Sequence, residues 1–353
     1  MVNPVAGNYA AGSSTARNYA VVAHRGASGY LPEHTLAAYE LGIRQGADAF
    51  EIDVVPTRDG HLVARHENDL TGSTDVRAHP EFADGRITKE IAGLRHTGWF
   101  AEDFTLAELA TLRAIEPLPG VRSTEHDGRY AVPTLPEILA LRARLSMELG
   151  REVGLKLEVK TPEHFATIGV PMTQRLLADL ADADMLGAGS PVEIMTFEPH
   201  FLRALREQGV GNRLVALIED EPGRPVPGEA GTTYGELCTR AGLARLRESV
   251  EAIGPGRYAL FGGAPGTPLG EPSPLFANAK AAGLRLDCWT FRAENAFLPT
   301  DFQRGEDPAA YGDLGGLVAA YVHHGLATVI TDQPREARRA APGDGSAVAH
   351  TSQ

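Results

Sequence analysis

Apolar runs of strand length recur along the chain, bounded by turn residues and separated by longer stretches in which apolar positions repeat at i, i+3 and i+4. The runs are Tyr19–His24, Phe50–Val55, His61–His66, Gly154–Lys160, Val192–Phe197, Arg213–Ile218, Tyr258–Phe261, Leu284–Thr290 and Thr328–Thr331. They are rich in β-branched residues, as strands are. The intervening helical stretches are Thr35–Gln45, Leu106–Ile115, Leu135–Leu149, Pro171–Ala183, Pro199–Glu207, Tyr234–Ile253, Ser273–Ala282 and Tyr311–His324. Strands alternating with helices predict a parallel α/β sheet or a closed TIM (β/α)8 barrel. Nine runs for eight barrel places leave one too many, and Tyr258–Phe261 is the weakest by length.

Two stretches break the alternation: Asn68–Phe104, dense in charge and turn residues, and Glu219–Thr233, which holds Pro222, Pro225 and Pro227. Long irregular segments in compact domains usually form lids or binding walls, and in a barrel the loops after the strands build the active site. The expected organisation is one barrel domain over 19–339 with insertions near 68–104 and 219–233, flanked by a flexible segment 1–18 and a disordered tail 340–353. No repeat of fixed period is present.

Composition narrows the partners. The 353 residues carry 33 Lys and Arg against 46 Asp and Glu, a net charge of −13, and 43% of them are hydrophobic. That apolar content excludes wholesale disorder, and the acidic balance argues against a nucleic-acid partner. No run approaches the ~18 uninterrupted apolar residues of a membrane span. Cys238 and Cys288 lack the spacing of a zinc site and are expected as free thiols, a bridge between them staying open. Residues 1–17 have neither the charged nor the apolar region of a signal peptide. Oligomeric state is not set by any of this.

Ionisable residues gather where strands end. His24-Arg25-Gly26 closes the first run, Glu51-Ile52-Asp53 lies in the second, His66-Glu67 closes the third and Glu158-Val159-Lys160 the fourth. Any one of these has an ordinary structural reading, a hydrogen-bonded core histidine or a carboxylate paired with a base, but the conjunction points to a site. Glu51 and Asp53, two apart on a strand, face the same way and repel unless neutralised. With Glu158 as a third oxygen donor they suit a hard cation, Ca²⁺ or Mg²⁺, rather than zinc. His24 and His66 then provide one imidazole to take a proton and one to give it, while Arg25 and Lys160 supply charge for an anion. Gly26, Ser28 and Gly29 allow close backbone approach after the first strand, and Asp59-Gly60 reads as a hairpin turn.

The segments HRGASGYLPEHT (24–35), EIDVVPTRDGHLVARHE (51–67), KLEVKTP (156–162), MTFEP (195–199), CWTF (288–291) and ITDQP (330–334) closely resemble glycerophosphodiester phosphodiesterases, metal-dependent enzymes on a TIM barrel. The ordered similarity spans about Tyr19 to Pro334, and Gly98–Arg113 and Ile253–Tyr258 resemble the bacterial periplasmic or secreted branch. A secreted or periplasmic setting is implied by that likeness, a cytoplasmic one being the alternative. The resemblance implies that His24 and His66 are the acid/base pair, that Glu51, Asp53 and Glu158 bind the divalent metal, and that Arg25 and Lys160 contact the phosphate. Glu33 matches the family's Pro-Glu element near the metal, and Trp289 its aromatic wall for the glycerol. The family usually has Asn at His34, Asp at Glu67 and often Gln at Met195, departures expected to bear on substrate preference.

The activity implied is hydrolysis of glycerophosphodiesters such as glycerophosphocholine or glycerophosphoethanolamine to glycerol 3-phosphate and an alcohol. Its rivals are phospholipase C- or D-like action on lysophospholipids and non-catalytic binding of glycerophosphodiesters. Ser28, the one hydroxyl near the first motif, reads as a backbone-capping serine with no base beside it. The nucleophile is then either a water on the metal or the substrate's own glycerol hydroxyl, which gains effective molarity from its tether.

Overall fold

The computed structural model describes residues 18–339 apart from 92, 93 and 265. The expected end segments, 1–18 and 340–353, lie outside the described residues except for Asn18. Among the described residues there are eleven strands: β1 (Ala20–Ala23), β2 (Ala49–Pro56), β3 (Leu62–Ala64), β4 (Ile87–Ile91), β5 (Leu94–Gly98), β6 (Gly154–Val159), β7 (Val192–Thr196), β8 (Arg213–Ile218), β9 (Ala252–Pro255), β10 (Arg285–Phe291) and β11 (Thr328–Thr331). Eight of them, β1, β2 and β6 to β11, pair in parallel around a ring that closes where β1 meets both β2 and β11. A strand covered on both faces can be apolar throughout, and every residue of β2 is buried.

The helices follow their patterns and caps. Leu36–Arg44 starts where the Thr35 side chain accepts the Ala38 N–H, and Leu135–Leu149 starts at a capping box of Thr134 and Glu137. The predicted helix Pro199–Glu207 is found with those limits. Others differ from expectation. Tyr234–Ile253 is not one helix: it breaks into Tyr234–Leu237 and Arg240–Leu246 and ends in β9, whose small residues conceal it in the sequence. Tyr258–Phe261 is not a strand, because Asp220 Oδ1 accepts the Ala259 N–H and the segment turns helical over Arg257–Leu260. Leu106–Ile115 is helical only over Leu106–Leu109. The stretch 68–104 is not structureless, carrying short 3₁₀ turns and the β4–β5 hairpin.

His61–His66 is the second run outside the barrel. Only Leu62–Ala64 is strand, and it runs antiparallel to β2. The Thr57–Gly60 turn reverses the chain: Thr57 N–H donates to His61 O at 2.8 Å, and Gly60 has φ +81°, where a residue without Cβ is favoured. Cys238 and Cys288 are both free, the latter buried on β10. No helix among the described residues is long and apolar enough to cross a membrane.

Alternate residues of each barrel strand point inward and stack in layers. The lowest layer is ionic. Lys156 Nζ lies 2.5 Å from Glu193 Oε2 and 2.7 Å from Asp287 Oδ2, and Arg285 bonds both carboxylates. Above it come Met195, Val215, Leu217 and Ala252 on one side and Val22, Ala49 and Ile330 on the other, both touching Trp289. This apolar plug is the floor of the upper cavity. The ionic layer holds only while its charges balance, since a buried carboxylate without its cation is expensive. Arg213 also reaches Glu193, at 3.3 Å, and Lys156→Met should destabilise the fold by about 3–5 kcal/mol in denaturant titrations, whereas a change below about 1 kcal/mol would show that Arg285 and Arg213 balance both carboxylates without it.

Candidate active site

The turn after β1 is the first wall. His24 N–H continues the sheet by donating to Thr331 O at 2.8 Å, after which Arg25 takes φ +55° and Gly26 φ +86°. A Cβ on Gly26 would lie 2.5 Å from the Ala38 backbone, so the turn packs against the first helix only with glycine there. The unusual backbone of Arg25 lets it act at both ends: its N–H donates to Glu51 Oε2 at 2.8 Å, and its guanidinium Nη1 meets Glu33 Oε2 at 2.8 Å. Its Nε lies 3.5 Å from Asp53 Oδ2. Ser28 Oγ donates to His24 O at 2.8 Å, the capping role read for it.

Glu51 and Asp53 rise from β2 and Glu158 from β6, with Asp53 in register with Glu158. Ligand oxygens of the three lie within 4.8 Å of one another, and all three residues are buried. Such crowding is legible in their proton affinities. Burial and the charge of Asp53 push Glu51 well above the usual carboxylate range. Burial, opposed by Lys160 at 2.8 Å, pushes Glu158 to about 8. Against burial, Lys160 and a hydrogen bond from His34 hold Asp53 well below its usual value. Asp53 Oδ1 has no hydrogen-bond partner and sits 3.9 Å from Lys160 Nζ. Buried oxygens with too few donors and too much like charge are what a hard cation satisfies, so the three residues fit a divalent metal.

His34, one of the departures from the family pattern, stands behind this group. Burial lowers its pKa to about 4, so it is neutral; its Nε2–H donates to Asp53 Oδ2 and Tyr39 O–H donates to its Nδ1, both at 2.9 Å. An imidazole thereby does the positioning that a carboxamide could do at that place.

His24 and His66 reach the cavity from opposite supports. His24 Nδ1–H donates to Asp332 Oδ1 at 2.5 Å, leaving Nε2 toward the cavity with Thr290 Oγ1 at 3.5 Å. Burial and Arg25 lower its pKa to about 4 against the pull of Asp332. His66, delivered by β3, has Nδ1 2.9 Å from Glu67 Oε1, and burial with Arg25 and Lys160 lowers its pKa also. The cavity of ≈ 760 Å³ is lined by eight of the nine residues read from sequence: His24, Arg25, Glu51, Asp53, His66, Glu158, Lys160 and Trp289. Trp289 is fixed by donation from Nε1 to Gly254 O at 2.7 Å and meets Phe197 edge to face at 5.7 Å. The ninth residue, Glu33, is buried behind Arg25 instead of lining the wall.

Sequence reasoning assigns no role to Asp332, Arg122 or Arg292. Asp332 carries the signal used elsewhere, a charged residue directly after a strand. Arg122 comes from the irregular segment between Leu109 and Leu135, where no pattern marks it.

A barrel mouth lined by His24 and His66, a carboxylate cluster and the cationic side chains of Arg25 and Lys160 is a setting in which a phosphoric ester could be hydrolysed. The chain belongs to the Glycerophosphoryl diester phosphodiesterase family, whose model matches residues 24–336. It is similar to a glycerophosphodiester phosphodiesterase of Arabidopsis thaliana, 31% identical over 306 residues that cover 83% of this chain and 79% of the relative. Its fold is that of a glycerophosphoryl diester phosphodiesterase structure assigned in Silicibacter pomeroyi, with TM-score 0.63 and 21% identity over 91% of this chain and 92% of that one. A phosphodiesterase of Oleispira antarctica, solved in complex with the product sn-glycerol-3-phosphate, superposes with TM-score 0.59 at 19% identity over 91% of this chain and 96% of its own. The protein is thus a phosphoric diester hydrolase.

Glu158, pushed to about 8, would have to lose its proton to hold a cation, so cation binding should weaken as pH falls below about 8. Calorimetric titration with Ca²⁺ should show an affinity dropping roughly tenfold per pH unit between pH 8 and 6 for one displaced proton. An affinity flat over that range would mean that the carboxylates are already ionised.

Proposed function

We propose that the protein hydrolyses glycerophosphodiesters with small headgroups, such as glycerophosphocholine or glycerophosphoethanolamine, to glycerol 3-phosphate and the free alcohol. The observation that carries this reading is the pair of imidazoles, His24 and His66, each tied back at Nδ1 by a carboxylate and both lining one cavity with the three-carboxylate group. Glycerol 3-phosphate as product is supported by the Oleispira antarctica relative.

Glu51, Asp53 and Glu158 would hold Ca²⁺ or Mg²⁺, which when bound supplies positive charge to the phosphoryl oxygens in the transition state. The chain's own residues do the rest. Arg25 and Lys160 offset the phosphate charge, Trp289 walls the glycerol and, with Phe197, excludes water from it. One histidine takes the proton of the glycerol hydroxyl beside the phosphate. That oxygen attacks phosphorus, the P–O bond to the headgroup breaks, and the other histidine protonates the departing alcohol. Water then opens the cyclic phosphate with the two roles exchanged. Ser28, occupied with His24 O, is not available as a nucleophile.

The test is direct. Purified protein should release glycerol 3-phosphate from glycerophosphocholine faster than it cleaves a lysophospholipid, lose that activity in chelator and regain it with Ca²⁺ or Mg²⁺; full activity in chelator would defeat the metal assignment. His24→Ala and His66→Ala should each fold and lose ~10²–10⁴ in kcat, and near-parental turnover by either would make that histidine structural. At saturation, an analogue lacking the adjacent hydroxyl should bind but turn over far more slowly, since equal turnover would exclude the cyclic route.

A further inference from the structure

Asp332, which accepts the Nδ1–H of His24, is itself held in a way the barrel does not require. It is 1% exposed, and its second oxygen, Oδ2, takes Arg122 Nη2 at 2.6 Å and Arg292 Nε at 2.7 Å. Arg292 follows β10 and is local to the site. Arg122 is not. It sits on a loop whose base is closed by Ala114 N–H donating to Tyr130 O at 2.8 Å and Gly128 N–H donating to Ala114 O at 3.0 Å. The loop tip reaches over the barrel mouth, and all of the Arg122 fork is engaged: Nε with Glu294 Oε1 at 2.7 Å, Nη1 with Ser28 O at 3.1 Å and Nη2 with Asp332. Ser28 in turn bonds His24 O, so Arg122 braces His24 through both its side chain's partner and its backbone's partner.

A carboxylate with one cation could rotate and offer either oxygen to the imidazole. Two guanidiniums on Oδ2 leave only Oδ1 for His24, which fixes the ring, its tautomer and the direction of Nε2. They also offset the charge of Asp332 in a buried place. The other charged groups facing His24 are Arg25 from its own turn and Arg292.

We propose that Arg122 is a positioning residue of the acid–base step, acting on His24 through Asp332 from a loop outside the barrel. This inference rests on the reading of His24 as an acid–base group. It requires that Arg122 contribute to turnover and not to substrate affinity, because Arg122 does not line the cavity.

The experiment is a double-variant cycle on the full chain with glycerophosphocholine, each variant checked for a parental unfolding transition. Arg122→Met should lower kcat roughly tenfold or more with KM nearly unchanged, and Arg122→Lys, which keeps a cation beside Asp332, should recover a large part of it. Asp332→Asn should lower kcat further. Adding Arg122→Met to Asp332→Asn should cost little more, since a group acting through Asp332 has nothing left to act on. Losses that multiply in the double variant, or parental kcat in Arg122→Met, would overturn the proposal. If Arg122→Met does not fold, the same cycle with Arg122→Gln, which also removes the cation beside Asp332, decides it by the same criterion. His24→Ala separates the two readings: near-parental turnover there removes the acid–base assignment itself, whereas an inactive His24→Ala beside a fully active Arg122→Met removes only the role of Arg122.

Discussion

Mutual repulsion of three buried carboxylates is the constraint around which this molecule is arranged. Glu51, Asp53 and Glu158 are brought together by the register of two adjacent strands, a geometry the backbone enforces whatever the side chains prefer. The neighbours offset part of the repulsion. Arg25 donates to Glu51 from its backbone and approaches Asp53 with its side chain, Lys160 bridges toward Glu158 and Asp53, and His34 supports Asp53 from behind. The relief is incomplete, as the raised proton affinity of Glu158 and the unpartnered Asp53 Oδ1 show. Such a deficit is what a bound cation would relieve, and the lower barrel is packed and charge-balanced independently of it.

In the proposed mechanism the two histidines would divide the proton work by environment. His24 is buried against Asp332, whose charge two arginines offset, while His66 stands at the cavity edge beside the more exposed Glu67. Both carboxylate partners bind Nδ1, which leaves Nε2 of each ring free of them, and the asymmetry lies in solvent access and in how firmly each partner is held. That is the distribution wanted when the two must exchange roles between successive steps.

Much of the site is legible in the sequence because barrel chemistry collects at strand ends. Charged residues interrupting apolar runs at His24, Glu51, Asp53 and Glu158 mark it on pattern alone; the family resemblance adds Glu33 and Trp289, and eight of the nine residues named by the two routes line the cavity. Glu33 is the exception, because sequence shows adjacency to a motif but not which side of an arginine a carboxylate takes. β9 is concealed since Ala252–Pro255 is only four residues long with a single branched residue, Ile253, and it follows a helical pattern without a break. Tyr258–Phe261 has the composition of a strand, but the Asp220 carboxylate, 39 residues from Ala259, turns its backbone. Arg122 is invisible for the same reason: its meaning is a contact with Asp332, and nothing local encodes it.

The Thr57–Gly60 turn also limits how this family can vary. His66 comes to the cavity through three residues of antiparallel pairing, Val54 with Ala64, Val55 with Val63 and Pro56 with Leu62. Side chains on a strand alternate, so a single residue gained or lost in that turn would rotate the imidazole out of the cavity and put Arg65, now wholly buried, in its place. Length can change freely only after the histidine. An insertion in the segment that begins at Asn68 would reshape the rim of the mouth and leave His24 and His66 in register.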